Sequence, residues 1–317
     1  MNSLKAGVVK TFALPMFRRI ALLVTLLAIV FVAVDLLPGN AARSALGREA
    51  DPAELAAKEH ELGLDRALPV QFLDWISGVL TGDFGQTARG NSIGALLADK
   101  FPQTLLLGGI ALLLTIALSL GLGCWWAMRP TVLGSRILQP ISTIAVAVPE
   151  FVGGTLLILV FSLATGWLPA VTITGRSGFP IGPEMLVLPV LALAIPQIGW
   201  NARVVRSALL DVAAAPHVES AVLDGLPTRT ILLRHMLPFA APTIVAGYAT
   251  SVGMLFGGAL VVETLFNYPG IGAVLAGSVA DRDATMVAAV VALTAIVIMV
   301  LLAVADIVRA WASRSAR

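Results

Sequence analysis

The sequence predicts an all-α polytopic membrane protein with six transmembrane helices, on three grounds. Hydrophobic residues fill 58% of the 317 positions and charged residues only 13%, against roughly 25% charge in soluble domains. Apolar stretches of about 20 residues, enough to cross a hydrocarbon core, recur along the chain. They are continuous rather than alternating, which excludes a transmembrane β-barrel.

The first span is expected over residues 20–37. Lys5, Lys10, Arg18 and Arg19 precede it, as in a secretory signal. Its apolar core is long for one, and Pro38-Gly39-Asn40 offers no small-x-small cleavage site, so it reads as a retained span. Residues 38–103 are too polar for lipid and form an outer segment with helices of its own. Asp51-Pro52-Ala53-Glu54 is a helix start, with a capping side chain, a proline at the first position and a carboxylate placed for a capping box. That helix should end near Leu62-Gly63. A second begins at Pro69, with Phe72, Trp75, Ile76, Val79 and Leu80 on one stripe suited to packing on other helices or on the membrane interface.

The remaining spans are expected over 104–127, 141–163, 185–205, 242–262 and 286–305. The second holds Cys124, the single cysteine, which rules out an internal disulfide and suits a buried small apolar position. Gly121-Leu122-Gly123 in the same span lacks a third glycine and reads as helix packing. Glu150 follows Pro149 about nine residues into the third span, hence ~14 Å deep at 1.5 Å per residue. Such an acid either satisfies a helix broken by the proline or serves a translocation pathway. Pro189 and Pro196 should kink the fourth span, where Gln197 and Asn201 add polarity to one side. Asp35 and Glu263 lie near outer ends, where water explains them, and Asp306 with Arg309 reads as a structural pair.

Orientation follows from the basic residues. With the N-terminus inside, the cytoplasmic pieces hold Lys5, Lys10, Arg18, Arg19, Arg129, Arg136, Arg203, Arg206, Arg229, Arg234, Arg309, Arg314 and Arg317. The short outer loops hold only Arg176 and Arg282. The formal charge of +2 reflects this bias and gives no reason to invoke nucleic acid.

The cytoplasmic loop over 213–238 carries a complete helix plan. Pro216 suits the first turn, and Val218, Ala221, Val222 and Leu226 fall on one apolar face. Gly225 can take a left-handed cap, Leu226 the apolar contact after it, and Pro227 stops continuation. Such a helix either rests in the lipid headgroups or is held by a protein.

Several chemistries are excluded. No Gly-x-x-x-x-Gly-Lys-Ser/Thr loop is present to cradle nucleotide phosphates. His60, His217 and His235 form no His-Glu-x-x-His pair, and one cysteine makes no thiolate metal site. Gly90-Asn91-Ser92-Ile93-Gly94 matches the nucleophile-elbow pattern but sits in a polar outer loop without a preceding strand. No catalytic or metal-binding residue is expected.

The loop resembles a known family. Glu219-Ser220-Ala221, Gly225, Ile231 and Leu237-Pro238 are similar to the E-A-A…G…I…L-P loop of membrane subunits of binding-protein-dependent ABC importers. Nearly the whole chain resembles the "B"-type permeases of the dipeptide/oligopeptide/nickel group. The further motifs are Leu36-Leu37-Pro38-Gly39-Asn40, Leu62-Gly63-Leu64-Asp65 with Pro69-Val70-Gln71, and Gly82-Asp83-Phe84-Gly85. Pro149-Glu150-Phe151, Gly166-Trp167-Leu168-Pro169 and Val262-Glu263-Thr264 through Pro269-Gly270-Ile271-Gly272 complete the series. Ser220 stands where the loop commonly has alanine, and Asn40 where the family often has aspartate.

The resemblance implies a six-span type I importer fold in the cytoplasmic membrane of a bacterium or archaeon. It implies a heterodimer with a homologous second permease, two ATPase subunits that bind ATP and Mg, and an outer substrate-binding protein. Val218, Glu219, Ser220, Ala221, Val222, Asp224, Gly225, Leu226, Leu237 and Pro238 would carry the ATPase contact. Glu150, Gln197 and Asn201 are candidates for the pathway. The cargo the resemblance implies is a di- or oligopeptide or a related small solute, since peptide, nickel chelate, opine and glutathione-like importers share the pattern. The rival classes are a stand-alone secondary transporter or channel, for which neither a repeat nor a set of ion-coupling groups is visible, and a membrane-embedded hydrolase, for which facing catalytic residues are missing.

Overall fold

The computed structural model describes residues 2–36, 41–47, 50–87, 89–129, 131–175 and 178–315. The Leu37–Asn40 part of one family motif, Arg176 and Arg317 lie outside these residues, as do the side chains of Lys5, Lys10, Arg19, Arg309 and Arg314. Helices α1 to α13 account for the fold, with no strand among the described residues. The chain divides into two compact units, one of residues 1–101 with 273–299 and the other of 102–272 with 300–317.

The first unit begins with α1 (Asn2–Asp35) and α2 (Ala41–Leu46), followed by α3 (Pro52–Glu61) and α4 (Leu68–Thr81). Asp51 caps α3 by accepting the Ala53 N–H at 3.3 Å, and Gly63 follows that helix at φ +68°. The aromatic stripe of α4 packs on α1: Phe31 lies 5.6 Å from Phe72 and 5.9 Å from Trp75 between ring centroids. Leu80, at the far end of the stripe, is 83% exposed. Ser92 caps the start of α5 (Ile93–Met128) by accepting the Ala95 N–H at 3.3 Å. The Gly90–Gly94 motif is therefore a helix entry, without the strand that a nucleophile elbow needs.

The second unit carries α6 (Leu133–Ala147), α7 (Glu150–Leu157) with a π-helical continuation over Ile158–Ala164, and α8 (Glu184–Ala213). Next come α9 (Pro216–Leu223), the short turn α10 (Thr228–Thr230), a π-helical stretch Ile231–Met236 and α11 (Leu237–Leu265). Helices α12 (Ile271–Ala280) and α13 (Ala284–Ser315) complete the order. One core cluster joins α5, α8 and α11 through Leu107, Leu188, Leu193, Leu255, Ala259 and Phe266. Gly123 brings α5 close to α8, since a Cβ there would lie 2.6 Å from Val205 and 2.9 Å from the Ala202 carbonyl oxygen. Gly121 has open space around it, so Gly123 alone provides the close approach.

Four helical stretches among the described residues are long and apolar enough to cross a membrane: Ile93–Met128, Glu184–Ala213, Thr228–Leu265 and Ala284–Val308. The expected third span is not one rod. It is a pair, Leu133–Ala147 and Glu150–Ala164, bent by 106°. Proline has no N–H and disfavours helical backbone in the residue before it, and Val148 before Pro149 is accordingly extended at φ −84°, ψ 119°. The first apolar run falls in α1, of which Ile20–Asp35 is the described apolar part.

Candidate functional site

Two places collect the residues singled out by sequence. The first is the elbow between α6 and α7. A cavity of about 410 Å³ opens there, lined by Pro149, Glu150, Gln197, Trp200, Met254 and Gly258 among others. Glu150 starts α7 directly after the break and is half-buried. It is thus an acid at a corner rather than one deep within a straight rod. Gly258 makes room for it, because a Cβ at 258 would lie 2.9 Å from Glu150 Oε1.

Gln197 shares this cavity and Asn201, one turn further along α8, does not. Asn201 is 1% exposed. Its Nδ2–H donates to the Gln197 carbonyl at 2.8 Å and to Ser251 Oγ at 2.6 Å, tying α8 to α11. Trp200, Met254 and Gly258 were not singled out by sequence. The Gly257-Gly258 pair was the available signal.

The second place is the loop helix. Pro216 opens α9. Gly225 ends it at φ +72°, with Leu226 N–H donating to the Ala221 carbonyl at 3.2 Å and Gly225 N–H to that of Val222 at 3.0 Å, the Schellman pattern. The expected single apolar face is divided. Val218 and Ala221 are buried at 4% and 3% exposure in a cluster with Val205, Leu209, Ile231 and Met236, while Val222 and Leu226 are 59% and 36% exposed. Ala221 and Val222 are consecutive, so they point about 100° apart around a 3.6-residue turn, and Leu226 lies beyond the helix end.

Leu223, at 81% exposure, joins the outward group. Glu219, Ser220, Asp224 and Gly225 are exposed beside it. His217 fastens the helix from within, with Nε2 2.9 Å from the His235 carbonyl oxygen and its ring 4.3 Å from Phe239. Leu237 and Pro238, both half-buried, begin α11 below it.

A third polar cluster corrects the expectation of a hydrated Glu263. That residue is fully buried, and its Oε2 accepts the Gly272 N–H at 2.6 Å. Around it, Tyr268 donates to the Gln103 carbonyl at 3.0 Å and the Ile271 N–H donates to Thr104 Oγ1 at 3.0 Å. The turn after α11 folds back over the carboxylate and excludes water from it.

Comparison with known proteins agrees with this architecture. Residues 119–317 match the family described as binding-protein-dependent transport system inner membrane component, and residues 14–108 match the N-terminal region of such membrane components. The chain belongs to this family: it is an inner-membrane permease subunit of a binding-protein-dependent ABC importer.

Among its relatives is a probable peptide ABC transporter permease of Sinorhizobium fredii, 31% identical over 87% of this chain and 90% of that one. Another is the glutathione transport system permease GsiC of Salmonella choleraesuis, 32% identical over 92% and 95%. The fold is similar to that of a solved structure of the inward-facing MetNI methionine ABC transporter. The TM-score is 0.56 at 19% identity, covering 68% of this chain and 95% of that one. The fold is that of type I importer permeases, and the family match supports the importer reading over the stand-alone transporter.

Proposed function

We propose that the chain forms half of the pathway of an ATP-driven importer for peptides or a peptide-like solute such as glutathione. Its partners are a homologous second permease, two ATPase subunits that hold ATP and Mg, and an outer substrate-binding protein. Both termini are cytoplasmic and residues 38–103 lie outside. The peptide class rests on the functions for which the two relatives are named.

The observation that carries the coupling role is the outward side of α9. Val222, Leu223 and Leu226 form an exposed apolar knob flanked by Glu219 and Asp224. It is too small to anchor in lipid alone, and anionic headgroups would repel the two acids. A protein cleft with a basic or N–H-lined rim suits it. Tagged chain isolated from native membranes is expected to bring ATPase subunits with it, and Leu223→Asp to lose them at unchanged chain abundance. Undiminished co-isolation with the aspartate variant would remove the loop from the interface.

A further inference from the structure

We propose that the cavity at the α6–α7 elbow is a station for a protonated amine, where the ammonium end of the transported molecule rests on Glu150. This deepens the pathway reading above and rests on it. Glu150 is the one ionisable group lining the cavity among the described residues, and its carboxylate makes no hydrogen bond or ion pair with any of them. A carboxylate drawn partly out of water without a partner is costly, so the site favours a cation that brings its own donors.

The walls fit the rest of such a ligand. Gln197 and Trp200 line the cavity, and their Oε1 and Nε1 atoms lie just behind its surface without a hydrogen-bond partner. A side-chain rotation would let one accept from the ammonium and the other donate to a carbonyl or carboxylate beside it. Gly257, which also lines the cavity, has nothing within 4 Å of where a Cβ would stand, which leaves that part of the wall open. The volume of about 410 Å³ exceeds what a few waters need and falls in the range of small-molecule sites, about 300–1,000 Å³. A divalent metal fits less well: no group of three His, Cys, Asp or Glu side chains is gathered among the described residues.

The test uses the complete importer in membranes, with Cys124→Ala and Met254→Cys placing one thiol on the cavity wall. A cationic methanethiosulfonate reagent is expected to modify residue 254 about tenfold faster than an anionic one, since a charged cleft concentrates counter-ions by this order. Glu150→Gln should erase that preference and Glu150→Asp should keep it. Dialanine should slow the labelling both with Glu150 in place and in the Glu150→Asp variant, and N-acetyl-dialanine should slow it in neither.

Equal reagent rates with Glu150 present, or no protection by dialanine, would overturn the proposal. So would an unreactive residue 254 together with loss of the second permease from the Glu150→Gln complex, because the carboxylate would then belong to the subunit boundary. Absence of co-isolated ATPase would instead defeat the pathway reading, and the reagent ratio would still report on the cavity by itself.

Discussion

Glu263 Oε2 accepts the Gly272 N–H at 2.6 Å, joining the end of α11 to the start of α12. The two glycines of Pro269-Gly270-Ile271-Gly272 leave room for the acid and for the Leu260 carbonyl. A Cβ at 270 would run into the Glu263 carboxyl group, and one at 272 would meet the Leu260 carbonyl and lie 2.9 Å from Glu263 Oε2.

Gly272→Ala is therefore expected to destabilise the chain by about 1–3 kcal/mol, the usual cost of forcing atoms into a filled site. Gly277, with open space around it, provides the control, and its alanine variant should shift stability by less than about 0.5 kcal/mol. Thermal unfolding of both variants in the same detergent checks the difference.

Asn201 gives a prediction of a different kind. As a buried link between α8 and α11, its replacement by alanine should cost about 0.6–2 kcal/mol, the scale of interhelical hydrogen bonds in membranes. Cargo preference, measured by competition during uptake, should stay as in the parent importer. A changed preference with unchanged melting would return Asn201 to the pathway wall.

The loop helix can be tested through its cap and its charge. Gly225→Val places a β-branched residue at φ +72°, costing roughly 1–2 kcal/mol and tilting the chain after α9. Glu219→Lys inverts an exposed charge beside the apolar knob. Both variants should reach the membrane at normal abundance and either lose co-isolated ATPase or hydrolyse ATP without transport. Normal transport and co-isolation in both would make the loop a connector only.

Topology is tested by single cysteines at Ala57 and Ser313 in a Cys124→Ala background. An impermeant thiol reagent applied to intact cells should react at residue 57 and spare residue 313. Reaction at 313 in sealed cells would reverse the orientation.

The segment between α3 and α4 offers a pH prediction. The His60 ring nitrogen sits 2.7 Å from Asp65 Oδ2, and this hydrogen bond holds the Asp65 carboxyl below its ordinary titration range. A depressed carboxyl stabilises its contact above the ordinary value of about 3.9 and loses it as pH falls through the lowered one. Limited proteolysis around Gly63–Arg66 should be slow at about pH 5–7 and quicken below about pH 3.5, where Asp65→Asn should no longer differ from the parent chain. Equal cleavage of parent and variant at about pH 7 would show that the contact restrains nothing.

Much of this architecture was legible because membrane burial leaves a coarse and strong mark. The apolar runs are unbroken, the Asp51-Pro52 start and the Gly225 stop are single-residue signals, and each acts within one turn of helix. What escaped depended on residues distant in sequence. The burial of Glu263 requires Gly270 and Gly272 to fold back over it, and the helical pattern of α11 looks the same with or without that turn. The elbow at Pro149 was visible as a break, but its 106° angle is set by what α7 meets on α8 and α11. The division of the α9 face arose because Val218 and Ala221 found partners such as Val205 and Met236 within the chain, which an amphipathic pattern cannot distinguish from partners outside it.

The seating of α9 has a mechanical consequence. Val218 and Ala221 are sunk in the same cluster as Leu209 near the end of α8 and Ile244 near the start of α11. His217 adds a second fastening 18 residues along the chain at His235. The helix is therefore a tooth cut into the base of two rods, not a strap hung between them. A push on Leu223 would be passed through this packed cluster to both rods. Close packing at this one point would limit how much of an applied displacement is lost as local bending.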